Sequence, residues 1–463
     1  MQDNVPLLST GTAMERVGLA RMGSRIAALA LRDTNVVVAF AVFQNLMRAV
    51  NGMILTRLLV PEAFGITGVI GSIAFTAAML SDFGFQAFVV RHEKGDTARF
   101  LDTIWTISLI RSALLTVALV ALSQPIANFF AKPELAPMIE ISALSFIIEG
   151  LASLTLLTAI RKRMILRLSL LESGVTIFQI VAGVILAWLW RDVWAVLVSL
   201  IVGSAVKSLL SYAMFPDARR RLAFDPAYAR DLWRFARFVA GSSMITLLVM
   251  QCDKLILARL MPLDDFGLYI LAGNLASAPI AFTTAYASRI LYPSYAEYWR
   301  SRQEGLRQLF YARRWLPSLL YSFAAGGLIG SAPLLVTLLY DHRYAETADY
   351  LRLLALTPFF ALASCAASET LVATGRVVVT LQAGITKLVW LVIAAPGAYF
   401  LMGKMGLVAA IGLMEMPALL LKWVQMQRIG LLHLRKEAIF LGMGLCGIAV
   451  GAAISGLLTP LLP

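Results

Sequence analysis

Long apolar stretches separated by short polar interruptions repeat along this chain. They cover residues 36–58, 64–90, 101–123, 135–159, 166–190, 193–215, 235–260, 266–291, 315–340, 348–373, 379–401, 406–426 and 437–458. A helix that crosses a bilayer needs roughly 20 mostly apolar residues. Backbone in hydrocarbon must satisfy its own hydrogen bonds, so each stretch is expected to be a helix. The pattern predicts thirteen membrane spans, with the last the least secure because the chain ends soon after it.

Composition agrees: 59% of the 463 residues are hydrophobic and 14% charged, which excludes an ordinary soluble enzyme or secreted module. The net charge of +13 would point to nucleic acid in a soluble domain. Here the basic residues fall between the spans and report topology instead, so no nucleic-acid partner is expected. One set of loops carries Arg91, Lys94 and Arg99, then Arg161, Lys162, Arg163 and Arg167. The same set continues with Arg219, Arg220, Arg221, Arg230, Arg234 and Arg237, with Arg300 to Arg314, with Arg376, and with Arg428, Arg435 and Lys436. The alternate set carries only Lys132, Arg191, Arg343 and Lys404. The arginine-rich side is expected to be cytoplasmic and to hold the N-terminus. Residues 14–31 place Val17, Met22, Ile26 and Leu29 among Arg16, Arg21 and Arg25, with Arg32 just beyond. This segment reads either as an interfacial amphipathic helix or as a basic tail. The three cysteines, Cys252, Cys365 and Cys446, lie inside apolar stretches without metal-ligand spacing.

The chain also repeats itself. An offset of 202 aligns Ile54, Leu55, Arg57 and Leu58 with Ile256, Leu257, Arg259 and Leu260, and Phe64, Gly65 and Gly71 with Phe266, Gly267 and Gly273. Glu62 meets Asp264. Six spans separate the copies, so the halves share one orientation, as in transporters built from parallel repeats. The expected division is a basic segment 1–35, a first six-helix bundle 36–215, a linker 216–234, a second bundle 235–427 and an extra C-terminal helix 428–463. The predicted fold is thus an all-α polytopic membrane protein: two pseudo-symmetric six-helix bundles around a central cavity.

The run from Met250 to Tyr269, its counterpart from Leu55 to Gly65, the run Leu80 to Phe88 and the Ile290–Ser294 segment resemble the helix-end signatures of Wzx-type polysaccharide transporters. Those are lipid-linked oligosaccharide flippases, in the superfamily that also holds MATE-type multidrug exporters and lipid II flippases. The resemblance covers roughly residues 35–430. It implies two bundles with a V-shaped cavity. It also implies a cargo, an undecaprenyl-diphosphate-linked sugar repeat unit moved across the bacterial cytoplasmic membrane for exopolysaccharide, O-antigen or capsule assembly, and no enzymatic step. Thirteen spans depart from the twelve or fourteen usual in that family.

Ionisable side chains inside spans cost about 2.5–3.5 kcal/mol at mid-helix on insertion scales and usually face a cavity. Gln44, Arg48 and Asn51 share one face of the first span. Arg111, Glu149, Lys207 and Glu415 lie within the third, fourth, sixth and twelfth spans, and Asp253, Lys254 and Arg259 in the outer part of the seventh. A diphosphate cannot cross hydrocarbon unaided, and arginine grips phosphate oxygens with a fixed fork of donors. Arg48, Arg111 and Lys254 are therefore the first candidates for diphosphate contact, with Arg57 and Arg259 behind them. The last two sit at helix ends, where snorkelling to headgroups is an equal reading. Asp82, Glu149, Glu172 and Asp253 are candidates for proton or sodium coupling or for gating, and Glu172, Thr176 and Gln179 form a polar stripe on the fifth span. Arg289 and Lys422 read as anchors at the cytoplasmic surface, and Trp105 and Tyr295, among aromatics near span ends, as belt residues. Two alternatives remain: a multidrug or cation exporter on the same fold, which would favour an acidic cavity, and a membrane polymerase or ligase, which would present a larger outward loop. The expected partners are the lipid-linked oligosaccharide, the bilayer and other polysaccharide-assembly membrane proteins. No metal or resident cofactor is expected.

Overall fold

The computed structural model describes residues 40, 43–162, 164–215, 220–301 and 305–461; the basic segment 1–35 lies outside them. Among the described residues the regular structure is helical throughout. The first half comprises α1 (43–58), α2 (Pro61–Leu80), α3 (Phe85–Arg91), α4 (Ala98–Phe129), α5 (Leu135–Gly150), α6 (Thr155–Arg161), α7 (Ile165–Trp190) and α8 (Trp194–Ala213). The second half comprises α9 (Pro226–Leu260), α10 (Leu263–Tyr286), α11 (Tyr292–Ser301), α12 (Leu306–Gly330), α13 (Ala332–Leu339), α14 (Thr347–Leu354), α15 (Leu356–Ala373), α16 (Val378–Gly412), α17 (Glu415–Arg428) and α18 (Leu434–Leu458). Ten helices or bent helix pairs among them are long and apolar enough to cross a bilayer. Three further features account for the remaining expected spans. The first span begins outside the described residues, α9 is 35 residues long, and Gly403 (φ 62°, ψ −145°) divides α16 where the eleventh and twelfth spans were expected to part.

Several expected spans are broken, and polar side chains occupy the breaks. The stretch 64–90 is two helices. The left-handed Gly84 (φ 68°) opens α3, and its N–H donates to Asp82 Oδ1 at 2.8 Å. The stretch 135–159 bends by 56° between α5 and α6, and Trp105 Nε1 donates to Ala152 O in that gap at 3.2 Å. Trp105 is thus a buried partner of the break, not a belt residue, and Tyr295 is likewise fully buried. The stretch 315–340 bends by 71° at Ser331. Helix α9 begins at Pro226, inside the expected linker 216–234, capped by the Asp225 carboxylate, which also pairs with Arg99 of α4 at 2.9 Å.

The sequence repeat is a physical contact. Helices α2 and α10 pack closely where their glycines meet: a Cβ on Gly65 would stand 1.8 Å from Leu263 O, and one on Gly267 would stand 2.0 Å from Pro61 O. Adding 202 to 61 and 65 gives 263 and 267, so the two halves exchange the same contact about a local twofold axis. The largest apolar cluster lies around this seam and draws on both halves.

The C-terminal helix α18 is not a loose appendage. It packs lengthwise on α12, the most extensive pairing among helices α2 to α18, through glycines that let the backbones touch. A Cβ on Gly326 would meet Gly444 O at 1.9 Å, and one on Gly447 would meet Phe323 O at 2.1 Å.

Candidate functional site

The first bundle holds a polar cavity of about 280 Å³ between α1, α5, α7 and α8. The i, i+4, i+7 stripe of α7 supplies Glu172, Thr176 and Gln179, α5 supplies Glu149, α8 supplies Ser204 and Lys207, and α1 supplies Gln44. Gly203 gives Gln179 room, because a Cβ there would approach its amide to 3.3 Å. Gln44 Nε2 reaches Ser173 Oγ at 3.5 Å, and Ser204 Oγ donates to Glu149 Oε1 at 3.4 Å. Thus Gln44, Glu149 and Glu172, separate in sequence, line one space. Its two carboxylates face one ammonium, an acidic lining of the kind the exporter alternative would favour, and the cation that favours an anionic cargo, Arg48, lies beside it rather than in it.

Arg48 lies one turn along α1 from Gln44. Its side chain is exposed, and it has no hydrogen bond or ion pair among the described residues. Asn51, next on that face, has its Oδ1 buried without a partner among them. In a helix expected to be surrounded by lipid or protein, a free guanidinium next to a polar cavity marks a place open to water or to an anionic ligand.

Arg111 is placed differently. Its Nε donates to Ser81 O at 2.6 Å, and its Nη2 donates to Ala78 O at 3.0 Å and to Ser81 Oγ at 2.8 Å. Two of these acceptors are carbonyls where α2 stops, so the guanidinium caps a broken helix, with Ser81 Oγ helping at Ala78 O. Neither arginine pairs with Glu149. Asp82, one residue further on, holds the turn at Gly84.

On α9, Asp253 Oδ2 accepts from Tyr269 OH of α10 at 2.5 Å, while Oδ1 is buried with no partner among the described residues. Lys254 is half-buried beside it. Arg57 and Arg259 are exposed at the matching ends of α1 and α9, on the arginine-poor face. The structure therefore gathers Gln44, Glu149, Glu172 and Lys207 into one site and leaves Lys254, Arg57 and Arg259 apart from it.

Two charged clusters were not anticipated. Glu415 lies between Lys387 of α16 and Lys422 of α17 and accepts from Ser364 of α15. Lys422 also donates to Ser364 Oγ at 2.5 Å and is 5% exposed, so it is a buried partner of Glu415 and not the surface anchor that its position suggested. Arg289 is exposed, as an anchor would be. Arg314 of α12 is fully buried against Glu437 of α18, and its guanidinium lies over Phe310 at 4.3 Å and Phe440 at 5.0 Å. The signal for Lys387 was available, since it lies mid-way along an apolar stretch. Nothing in the sequence matched Arg314 to a partner 123 residues away.

Known proteins agree with this architecture. The chain is 25% identical over 309 residues to the succinoglycan biosynthesis transport protein ExoT of Rhizobium meliloti, covering 66% of this chain and 61% of that one. It is 24% identical over 335 residues to the lipopolysaccharide biosynthesis protein WzxC of Escherichia coli, covering 72% and 68%. The chain thus spans about three-fifths to two-thirds of the length of these relatives. Among solved structures, the lipid II flippase MurJ in an inward closed conformation superposes with a TM-score of 0.69 at 12% identity, over 90% of this chain and 92% of that one. An inward-facing multidrug MATE transporter gives 0.63 at 15% identity, over 86% and 95%. Both share the two-lobe helical fold. A family model described as polysaccharide biosynthesis protein matches residues 54–349, more than half the chain and including the seam between the repeats. This multi-pass membrane protein belongs to that polysaccharide biosynthesis family.

Proposed function

We propose that this protein moves a lipid-diphosphate-linked oligosaccharide from the inner to the outer leaflet of the bacterial cytoplasmic membrane, by alternating access between its two lobes. The arginine-rich face is cytoplasmic and the arginine-poor face outward. The observation that carries this reading is Arg48: a guanidinium without a protein partner among the described residues, in the span next to a polar cavity, in a member of a polysaccharide-assembly family. A diphosphate offers that fork two acceptors and neutralises it, while the prenyl tail stays in lipid. The relatives' names, succinoglycan transport and lipopolysaccharide biosynthesis, support this class of cargo.

Lys254, Arg57 and Arg259 are the further cations along the route. Glu149 and Glu172, facing Lys207 across the first-lobe cavity, are the seat of coupling to protons or sodium, with Asp253 and its unpartnered oxygen a second such site in the other lobe.

Complementation tests the proposal. In a strain lacking the gene, the lipid-linked repeat unit accumulates on the inner leaflet. The wild-type chain restores export, and Arg48→Ala reaches the membrane without restoring it. No such intermediate in the deletion strain, or full export by Arg48→Ala, overturns the reading.

A further inference from the structure

The arginine-poor face carries four basic residues in its loops; Lys404 pairs with Asp265 of its own lobe, and two others reach the opposite lobe. Lys132 lies between α4 and α5 of the first lobe. Its Nζ donates to Ala258 O at 2.7 Å and to Met261 O at 2.8 Å, at the C-terminal end of α9 in the second lobe. Arg343 lies between α13 and α14 of the second lobe. Its Nη2 donates to Thr56 O and Arg57 O, both at 3.3 Å, at the C-terminal end of α1 in the first lobe. Next to it the buried Tyr344 OH donates to Leu59 O at 2.9 Å. Adding 202 to 56 and 59 gives 258 and 261. The two lobes thus present the same carbonyl pair, and each pair is met by the loop between the third and fourth spans of the other lobe.

The chemistry suits a reversible contact. The last carbonyls of a helix have no partner within it, and its C-terminus attracts cations. Once uncovered by parting of the lobes, those carbonyls can bond to water, so neither state leaves a buried orphan. The Arg343 arm is also set from its own side. Asp341 Oδ1 accepts from Arg343 Nε at 3.0 Å and from Arg343 N at 3.1 Å, which aims the guanidinium at α1. Burial pushes the Lys132 ammonium below its ordinary pKa, Glu134 and Asp264 pull the other way, and the Arg259 charge adds to the lowering.

We infer that Lys132 and Arg343, with Tyr344, form a two-armed, pseudo-symmetric latch that holds the outward rim shut, and that outward opening requires both cations to leave the helix ends of the opposite lobe. The Gly65–Gly267 seam packs beside the same helix ends and forms a second, apolar layer of this closure. The latch rests on the transport reading only for the direction of opening, and its own readout needs no cargo.

Asn128 in the first lobe and Glu346 in the second are exposed near this rim and belong to neither arm. With Cys252, Cys365 and Cys446 replaced by alanine, spin labels at Asn128→Cys and Glu346→Cys report the gap by pulsed electron resonance in liposomes without substrate. Lys132→Gln with Arg343→Gln should raise the population of long distances about tenfold per cation removed, the scale of a charge-assisted hydrogen bond. Lys132→Arg with Arg343→Lys keeps the short distance. Lys132→Gln alone gives a partial shift and decides the matter if the double variant does not fold. An unchanged distance distribution in the glutamine variants overturns the latch. Failure of the export assay above, with the distance shift intact, would instead count against the cargo.

Discussion

Gly65 and Gly267 are the same position in two copies of one repeat, and each faces the backbone that precedes the other. Gly65 abuts the carbonyl of Leu263, and Gly267 abuts that of Pro61. The reciprocity makes α2 and α10 the axis of the molecule and explains why Phe-Gly recurs in the sequence. Only a residue without a Cβ lets the two backbones come this close.

Alanine at Gly65 or Gly267 should therefore separate the lobes or strain both helices. Forced overpacking typically costs 1–3 kcal/mol, and a clash with backbone belongs at or above the top of that range. The thermal midpoint of Gly65→Ala in detergent should fall by several degrees. Gly71→Ala, at another repeat position where a Cβ meets nothing within 4 Å, should be neutral or slightly stabilising. Equal midpoints for the two variants would refute the backbone-contact account.

Arg48 and Arg111 should fail in different ways. Arg111 donates to two carbonyls at the end of α2; Ala78 O also accepts from Ser81 Oγ, but Arg111→Ala removes the side-chain donor from Ser81 O and should lower stability by about 1–3 kcal/mol, visible as a lower thermal midpoint before any export is measured. Arg48 bonds to nothing among the described residues, so Arg48→Ala should leave the midpoint unchanged. Its loss should cut export about ten- to hundred-fold, the scale of one hydrogen bond to a charged group. A stable Arg111→Ala that blocks export would restore Arg111 as a substrate contact.

Apolar length made the spans legible, because lipid imposes it. The repeat was legible through Phe64-Gly65/Phe266-Gly267, since close packing leaves few residue choices; the exposed Arg57/Arg259 match has no packing reason. The α7 stripe was legible because one helix face is a fixed spacing. The breaks at residues 81–84 and 151–154 were not, since their carbonyls are satisfied by Arg111 and Trp105 from another helix, and a bond to backbone leaves no partner residue to find. The bonds from Lys132 and Arg343 were hidden for the same reason. Lys422 was misplaced because depth in an apolar run does not reveal that Glu415, seven residues earlier, is itself buried with a second lysine.

The first-lobe cavity offers a test of coupling. If Glu149 or Glu172 exchanges a proton or binds sodium during the cycle, Glu149→Gln and Glu172→Gln keep the shape and hydrogen-bonding capacity but remove the charge change. In proteoliposomes, flipping by the wild type should accelerate under an imposed proton or sodium gradient, and that acceleration should vanish in at least one variant while the gradient-independent rate remains. Acceleration of wild-type size in both would move the coupling site elsewhere, with Asp253→Asn as the next variant.

Arg314 and Glu437 tie α18 to α12 inside an aromatic cage, and the pair is fully buried. Removing one partner leaves a buried charge unpaired, at a typical cost of 3–5 kcal/mol. Arg314→Met or Glu437→Gln alone should accordingly lower the yield of folded protein and its thermal midpoint sharply. Replacing both with apolar residues, Arg314→Met with Glu437→Leu, removes the unpaired charge and lets the cage close on hydrocarbon. It should recover most of the loss, leaving mainly the Tyr311 hydroxyl, which donates to Glu437 Oε1 at 2.9 Å, with only the longer 3.5 Å bond to His433 O. A double variant as unstable as the worse single one would mean that the ion pair is not the source of the cost, and that the glycine contacts between α12 and α18 demand this pair's geometry instead.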